Sequence, residues 1–141
     1  MPRSRILAIL VLVAVVAAGV AIFSHFVGDD VSEHRADTLR IEVRTDASAA
    51  AKVMTLQCDP LGGNHPDGAA ACAALDKAGL TAFDATPKDQ ACTMIYGGPQ
   101  TAKVTGTYKN VKVNSTFTRS NGCEIDRWDS LGTAFFDVPM Q

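Results

Sequence analysis

All four cysteines of this chain, Cys58, Cys72, Cys92 and Cys123, lie downstream of an apolar run that extends unbroken from Ile6 to Phe23. That order constrains the fold more than any other feature. Arg3 and Arg5 precede the run and Asp29-Asp30 follow it, a charge order that sends the C-terminal part outward. The run exceeds a usual signal h-region of about 7–15 residues and just reaches the length of a spanning helix. No strict Ala-x-Ala cleavage site accompanies it, and Gly19-Val20-Ala21 is the nearest substitute. Residues 1–28 therefore read as a signal peptide or an N-terminal membrane anchor, with 6–27 as the anchoring stretch. Either version exports the remainder of the chain into a compartment where an even set of cysteines forms disulfides. Four cysteines allow three pairings, and nothing in their spacing chooses among them.

The exported part has room for one domain. A formal charge of −2 for the whole chain becomes −4 once Arg3 and Arg5 are left behind. A mildly acidic domain with no Lys/Arg stripe argues against nucleic acid as a partner. Residues 29–38 are polar and without period, a flexible stalk, and the domain proper occupies 39–141. Leu39, Ile41 and Val43 alternate with Arg40, Glu42 and Arg44, as a half-buried strand does. Val53, Thr55 and Gln57 alternate with Met54, Leu56 and Cys58 as its antiparallel partner. Prolines and glycines from Asp59 to Pro66 mark a loop, and Asp67 is a suitable N-cap for an alanine-rich helix through Lys77 that stops at Gly79. Two further strands, Thr101 to Tyr108 and Val111 to Arg119, flank the hairpin signal Lys109-Asn110. Asn121-Gly122 reads as a turn. Leu131 to Val138, with Phe135-Phe136, reads as a fifth strand. The expected class is α+β: a five-stranded antiparallel sheet covered on one face by one or two short helices, with two disulfides.

Catalytic and metal chemistry find little footing. Cys58, His65 and Cys72 are evenly spaced, but zinc sites use closely paired ligands, and exported cysteines are oxidised. No metal and no cofactor are expected. His65 is the one histidine placed to act as a base inside the domain, and no Gly-x-Ser-x-Gly elbow or lone cysteine accompanies it. Asp126, Arg127 and Asp129 read as a solvated polar loop. Asn114-Ser115-Thr116 matches a glycosylation sequon in mid-strand. Trp128 reads as an interface anchor or a surface loop residue. The chain does not look like an enzyme.

Five segments occur in register with the cysteines: Thr55-Leu56-Gln57-Cys58, Gly63-Asn64-His65-Pro66, Ala71-Cys72-Ala73-Ala74-Leu75, Cys92-Thr93-Met94-Ile95-Tyr96 and Ser120-Asn121-Gly122-Cys123-Glu124. Together they resemble the subtilisin inhibitor-like family of small secreted actinobacterial proteins, over roughly Leu39 to Phe136. The resemblance implies the pairing Cys58–Cys72 and Cys92–Cys123, a homodimer through the sheet face, and an extracellular serine protease of subtilisin or chymotrypsin type as partner. It also implies a protease-binding reactive loop of Cys92, Thr93, Met94, Ile95 and Tyr96, with the reactive bond Met94–Ile95.

A loop held in substrate shape loses little entropy on docking, and Ile95 adds β-branched stiffness beside the bond. Met94 would suit a broad hydrophobic pocket and not a trypsin-type one. Two departures stand out. Many family members carry proline where Thr93 stands, and Gly97-Gly98 makes the following segment longer and more mobile than the family's Tyr-Asp-Pro. Two alternatives accompany this reading. Met94 and Ile95 could belong to a strand entering the core, and the whole could be an exported, membrane-tethered binding domain of the same fold without inhibitory activity.

Overall fold

The computed structural model describes residues 37–139. The leader or anchor assigned to residues 1–28, and the stalk as far as residue 36, lie outside the described residues. Asp37 and Thr38, expected to end a flexible stalk, are tied down. The Asp37 carboxylate accepts from the Asn110 amide at 3.0 Å, and the Thr38 carbonyl accepts from the Thr107 amide at 3.0 Å.

Alternation of apolar and polar residues produces the sheet. Strands β1 (Leu39–Arg44), β2 (Lys52–Cys58), β3 (Leu61–Gly63), β4 (Thr101–Tyr108) and β5 (Val111–Phe117) pair antiparallel in the order β3-β2-β1-β4-β5. Register follows the buried stripe. Ile41 on the central strand stands opposite Met54 on one side and Val104 on the other, and all three are buried. Lys109 and Asn110 both adopt positive φ, 50° and 62°, the backbone of a two-residue hairpin between β4 and β5. The opposite face carries Arg40, Lys103, Lys112, Asn114 and Thr116, all exposed.

Two helices cover the buried face. Helix α1 (Gly68–Ala78) starts at Asp67, whose carboxylate accepts from the Ala70 amide at 3.0 Å, and ends at Gly79, whose amide donates to Leu75 O at 2.8 Å. Ala71 and Leu75 point into the core. Cys72, between them, forms a disulfide with Cys58 across a Cα–Cα distance of 5.6 Å, which staples α1 to β2. The Tyr108 hydroxyl and Lys109 both reach Asp76, at 2.7 and 3.1 Å, and hold its carboxyl below the usual carboxylate range. A short 3-10 turn, Leu80–Phe83, follows α1.

The C-terminal segment differs from the expectation drawn from composition. Leu131 to Val138 is not a strand. Gly122–Phe136 forms helix α2, bent at Gly132 where φ is 68°. The physical reason lies in its N-terminus and its spacing. Asn121, expected in a turn, caps the helix by accepting from the Glu124 amide at 3.0 Å. Trp128, Leu131 and Phe135 then recur at helical intervals and are all buried. Trp128 is therefore neither an interface anchor nor a loop residue. It stacks on Phe136 at 4.2 Å, and Phe136 meets Phe117 and Phe135 edge-on at 5.2 Å each. Arg127 and Asp129 are likewise helical and paired, to Glu124 at 2.7 Å and Arg119 at 2.8 Å. The fifth strand is β3, in the segment expected as loop, an edge too short to show a period.

Replacing Trp128 with alanine empties the space between α2 and the sheet. The expected loss is about 3–5 kcal/mol, read as a lower midpoint in urea unfolding. A loss under about 1 kcal/mol, the scale of a surface substitution, would show that α2 does not close the core.

Candidate functional site

No helix or strand forms between the 3-10 turn and β4. Within that stretch stand the three most exposed large apolar side chains described apart from β3 Leu61: Met94 at 94%, Tyr96 at 70% and Ile95 at 58%. The alternative of a strand entering the core is thereby removed. Three consecutive apolar side chains in water are unusual enough to mark a contact surface.

The backbone on both sides of them is fixed. On the N-terminal side, Cys92 is bonded to Cys123 across a Cα–Cα distance of 5.4 Å, and the Thr93 carbonyl accepts from the Gly122 amide at 2.9 Å. Gly122 is the first residue of α2, so its amide has no acceptor within the helix. The loop carbonyl supplies one, at the positive end of the helix dipole. On the C-terminal side, the Gly97 amide donates to Arg119 O at 2.8 Å, and Arg119 Nε donates to Gly97 O at 2.9 Å. Residues 94–96 thus span between two clamps, both anchored on residues 119–123.

Arg119 is itself held. Its guanidinium donates to Asp129 at 2.8 Å and lies 5.9 Å from the Trp128 ring, with the side chain only 11% exposed. The charge, the stacking and the loop bond all draw on one planar group. Nothing in the local sequence pattern marks Arg119 as part of the site, and Gly122 reads there only as a turn residue beside Cys123. The cap residues Asn121 and Glu124 could have located the start of α2, and with it the orphan amide.

The glycines of the loop have a different meaning in three dimensions. A Cβ at Gly97 would stand 2.7 Å from Ile125 Cγ1 and 3.1 Å from Arg119 Nε. Gly98 has φ 126°, and a Cβ there would stand 2.3 Å from the buried Gln100 Oε1. These residues permit the close approach that the clamp needs. The expected looseness is offset at Gly97 by two hydrogen bonds. Thr93, in turn, lies against Gly122, where an added Cβ would meet Thr93 Oγ1 at 2.0 Å.

The evenly spaced Cys58, His65 and Cys72 do not form a metal site. Both cysteines are oxidised, and His65 Nε2 donates to Phe135 O at 3.0 Å while Nδ1 accepts from the Asp67 amide at 3.2 Å. No group of three or more His, Cys, Asp and Glu among the described residues could hold a metal ion. No helix among them is long and apolar enough to cross a membrane. Asn114 of the sequon is exposed in the middle of β5.

Comparison with known proteins places this arrangement in context. A family profile described as subtilisin inhibitor-like matches residues 36–121, which include the loop. Subtilisin inhibitor-like protein 1 of Streptomyces cacaoi is 36% identical over 90 residues, covering 61% of this chain and 81% of its own. The subtilisin inhibitor of Streptomyces violaceus is 36% identical over 83 residues, covering 57% of this chain and 56% of its own. Among solved structures, Streptomyces caespitosus sermetstatin, crystallised with Bacillus licheniformis subtilisin, matches with a TM-score of 0.44 at 23% identity. That match covers 71% of this chain and 96% of sermetstatin.

If Arg119 fastens the loop, Arg119→Ala will lower global stability by about 1–3 kcal/mol, the scale of hydrogen bonds to a charged group. Exchange of the Tyr96 and Gly97 amides with deuterium will accelerate more than exchange in β1. Unchanged loop exchange would show that the Arg119 side chain does not restrain it.

Proposed function

Because the chain belongs to the subtilisin inhibitor-like family, we propose that it inhibits an extracellular serine protease of subtilisin or chymotrypsin type through the bond Met94–Ile95. The chain acts as a ligand of an enzyme and not as an enzyme. The observation that carries the reading is a single one: Met94, 94% exposed, stands between two clamps fixed to one short segment. A protease binds its substrate extended, and residues already held that way lose little conformational entropy on docking. Met94 then fills the enzyme's primary pocket as the main anchor of the interface, with Cys92 and Thr93 on the acyl side of the bond and Ile95 and Tyr96 beyond it. After attack, the amine of Ile95 stays beside the acyl group, because residue 97 is held as firmly as residue 93. Religation competes with release, and the enzyme remains occupied.

The same reading puts the domain outside the membrane, delivered or tethered by residues 6–27, and joins two copies through the open sheet face. Support comes from the two disulfides, which form in an oxidising compartment, and from a sheet face that no helix among the described residues covers, on which Val53 is 42% exposed. Sedimentation equilibrium tests the pairing: a mass of two chains is expected, and one chain at micromolar concentration would refute it.

Titration of the full-length protein against subtilisin should abolish hydrolysis of a small substrate near equimolar amounts. Rapid cleavage after Met94 with full enzyme turnover would overturn the inhibitory reading. Met94→Lys should weaken subtilisin inhibition and strengthen trypsin inhibition, each by roughly tenfold or more, since a trypsin-type pocket carries a buried aspartate. Equal inhibition by both forms would exclude Met94 as the primary contact.

A further inference from the structure

The chain contains four methionines, and the two that are described differ sharply in access. Met54 is 2% exposed, on the buried face of β2. Met94 is 94% exposed. All four cysteines are committed to disulfides, and no free thiol is present among the described residues. The thioether of Met94 is therefore the accessible reduced sulfur of the described domain, and it sits on the side chain assigned to the protease pocket.

We propose that Met94 is an oxidation site whose conversion to the sulfoxide releases the protease from inhibition. This rests on the reading of Met94–Ile95 as the reactive bond. The oxidant is a peroxide. The sulfur lone pair attacks one peroxide oxygen, the O–O bond breaks, an S–O bond forms and water leaves. Sulfur is oxidised by two electrons and the peroxide is reduced. The change converts a flexible apolar side chain into a polar, chiral one. A sulfoxide oxygen entering an apolar pocket loses its water without gaining a matched donor, and the complex weakens by roughly thirtyfold or more.

The geometry confines the effect to binding. Met94 lies outside the buried core, so its oxidation leaves the sheet, the helices and both disulfides as they are. Both clamps act on the backbone of residues 93 and 97 and not on the Met94 side chain. The loop keeps its shape while the side chain that it presents changes character. Peroxide thereby switches inhibition without unfolding the inhibitor.

The full-length protein is treated with hydrogen peroxide, freed of it, mapped by mass spectrometry and titrated against subtilisin. Each protein is compared with itself before treatment. The expected result is a sulfoxide at Met94 ahead of Met54, an inhibition constant raised roughly thirtyfold or more, and an unchanged thermal midpoint. Met94→Leu, whatever its own starting constant, should show no change on treatment, although Met1 and Met140 remain oxidisable in it. Full conversion of Met94 with an unchanged constant overturns the proposal and leaves the reactive-bond reading intact. Oxidation of Met54 as fast as Met94, or an equal loss in the leucine variant, overturns it as well. Failure of the untreated protein to inhibit subtilisin overturns the reactive-bond reading, and this proposal with it.

Discussion

One hydrogen bond organises the site: the amide of Gly122, left without an acceptor by its position at the start of α2, donating to the Thr93 carbonyl at 2.9 Å. It couples an exposed segment, Met94 to Tyr96, to a helix whose Trp128, Leu131, Phe135 and Phe136 are buried. The helix that supplies the amide is held against the sheet by Trp128, Leu131, Phe135 and Phe136. The helix cannot tilt without exposing that cluster, so the amide is fixed in space and the loop carbonyl with it. Cys123, one residue on, adds a covalent tie at the same place. Arg119, three residues before Gly122, extends the hold to Gly97.

The two disulfides therefore act at different levels. Cys58–Cys72 joins α1 to β2 inside the scaffold, and Cys92–Cys123 joins the scaffold to the loop. In a chain-entropy account each is worth about 3–4 kcal/mol, a large part of the roughly 5–15 kcal/mol by which a domain is stable. The second also restricts the native state, because it lies two residues from Met94. A loop tied only at Cys92 would still swing about that point. The paired bonds at Gly97 remove that freedom, and the glycines at 97 and 98 are what let the chain come close enough to make them.

Local chemistry was legible wherever one residue type has one physical use. Asp67 and Gly79 bound α1 as their capping chemistry demands, and Lys109-Asn110 turns the hairpin through positive φ. Strands β1 and β2 could be read from alternation, and β4 and β5 from the hairpin signal that they flank. Helix α2 was missed along its whole length: its first half read as a turn and a polar loop, and its second half as a strand, because Phe135-Phe136 has strand composition and Gly132 breaks the helical run just before it. The period that mattered begins earlier, at Trp128, and the signal for it was the Asn121 cap with Glu124 three residues on. Strand β3, with two glycines in three residues, has too little pattern to read. The disulfide pairing came with the family likeness. The role of Arg119 is tertiary throughout: its partners at residues 97, 128 and 129 come together only after the fold has formed.

The order of strands in the sheet has a consequence for the segment between residues 84 and 100. Everything before it contributes β1, β2, β3 and α1; everything after it contributes β4, β5 and α2. Yet β1 pairs with β4 along its whole length, from Leu39 opposite Gly106 to Arg44 opposite Thr101, and α1 packs on α2. The molecule is in effect two complementary fragments already assembled, for which the loop is a tether more than a structural member. Severing that tether beyond Cys92 leaves a nicked but intact body, joined through the central ladder and through Cys92–Cys123. Its two pieces would migrate as one until the disulfide was reduced and the sheet unfolded.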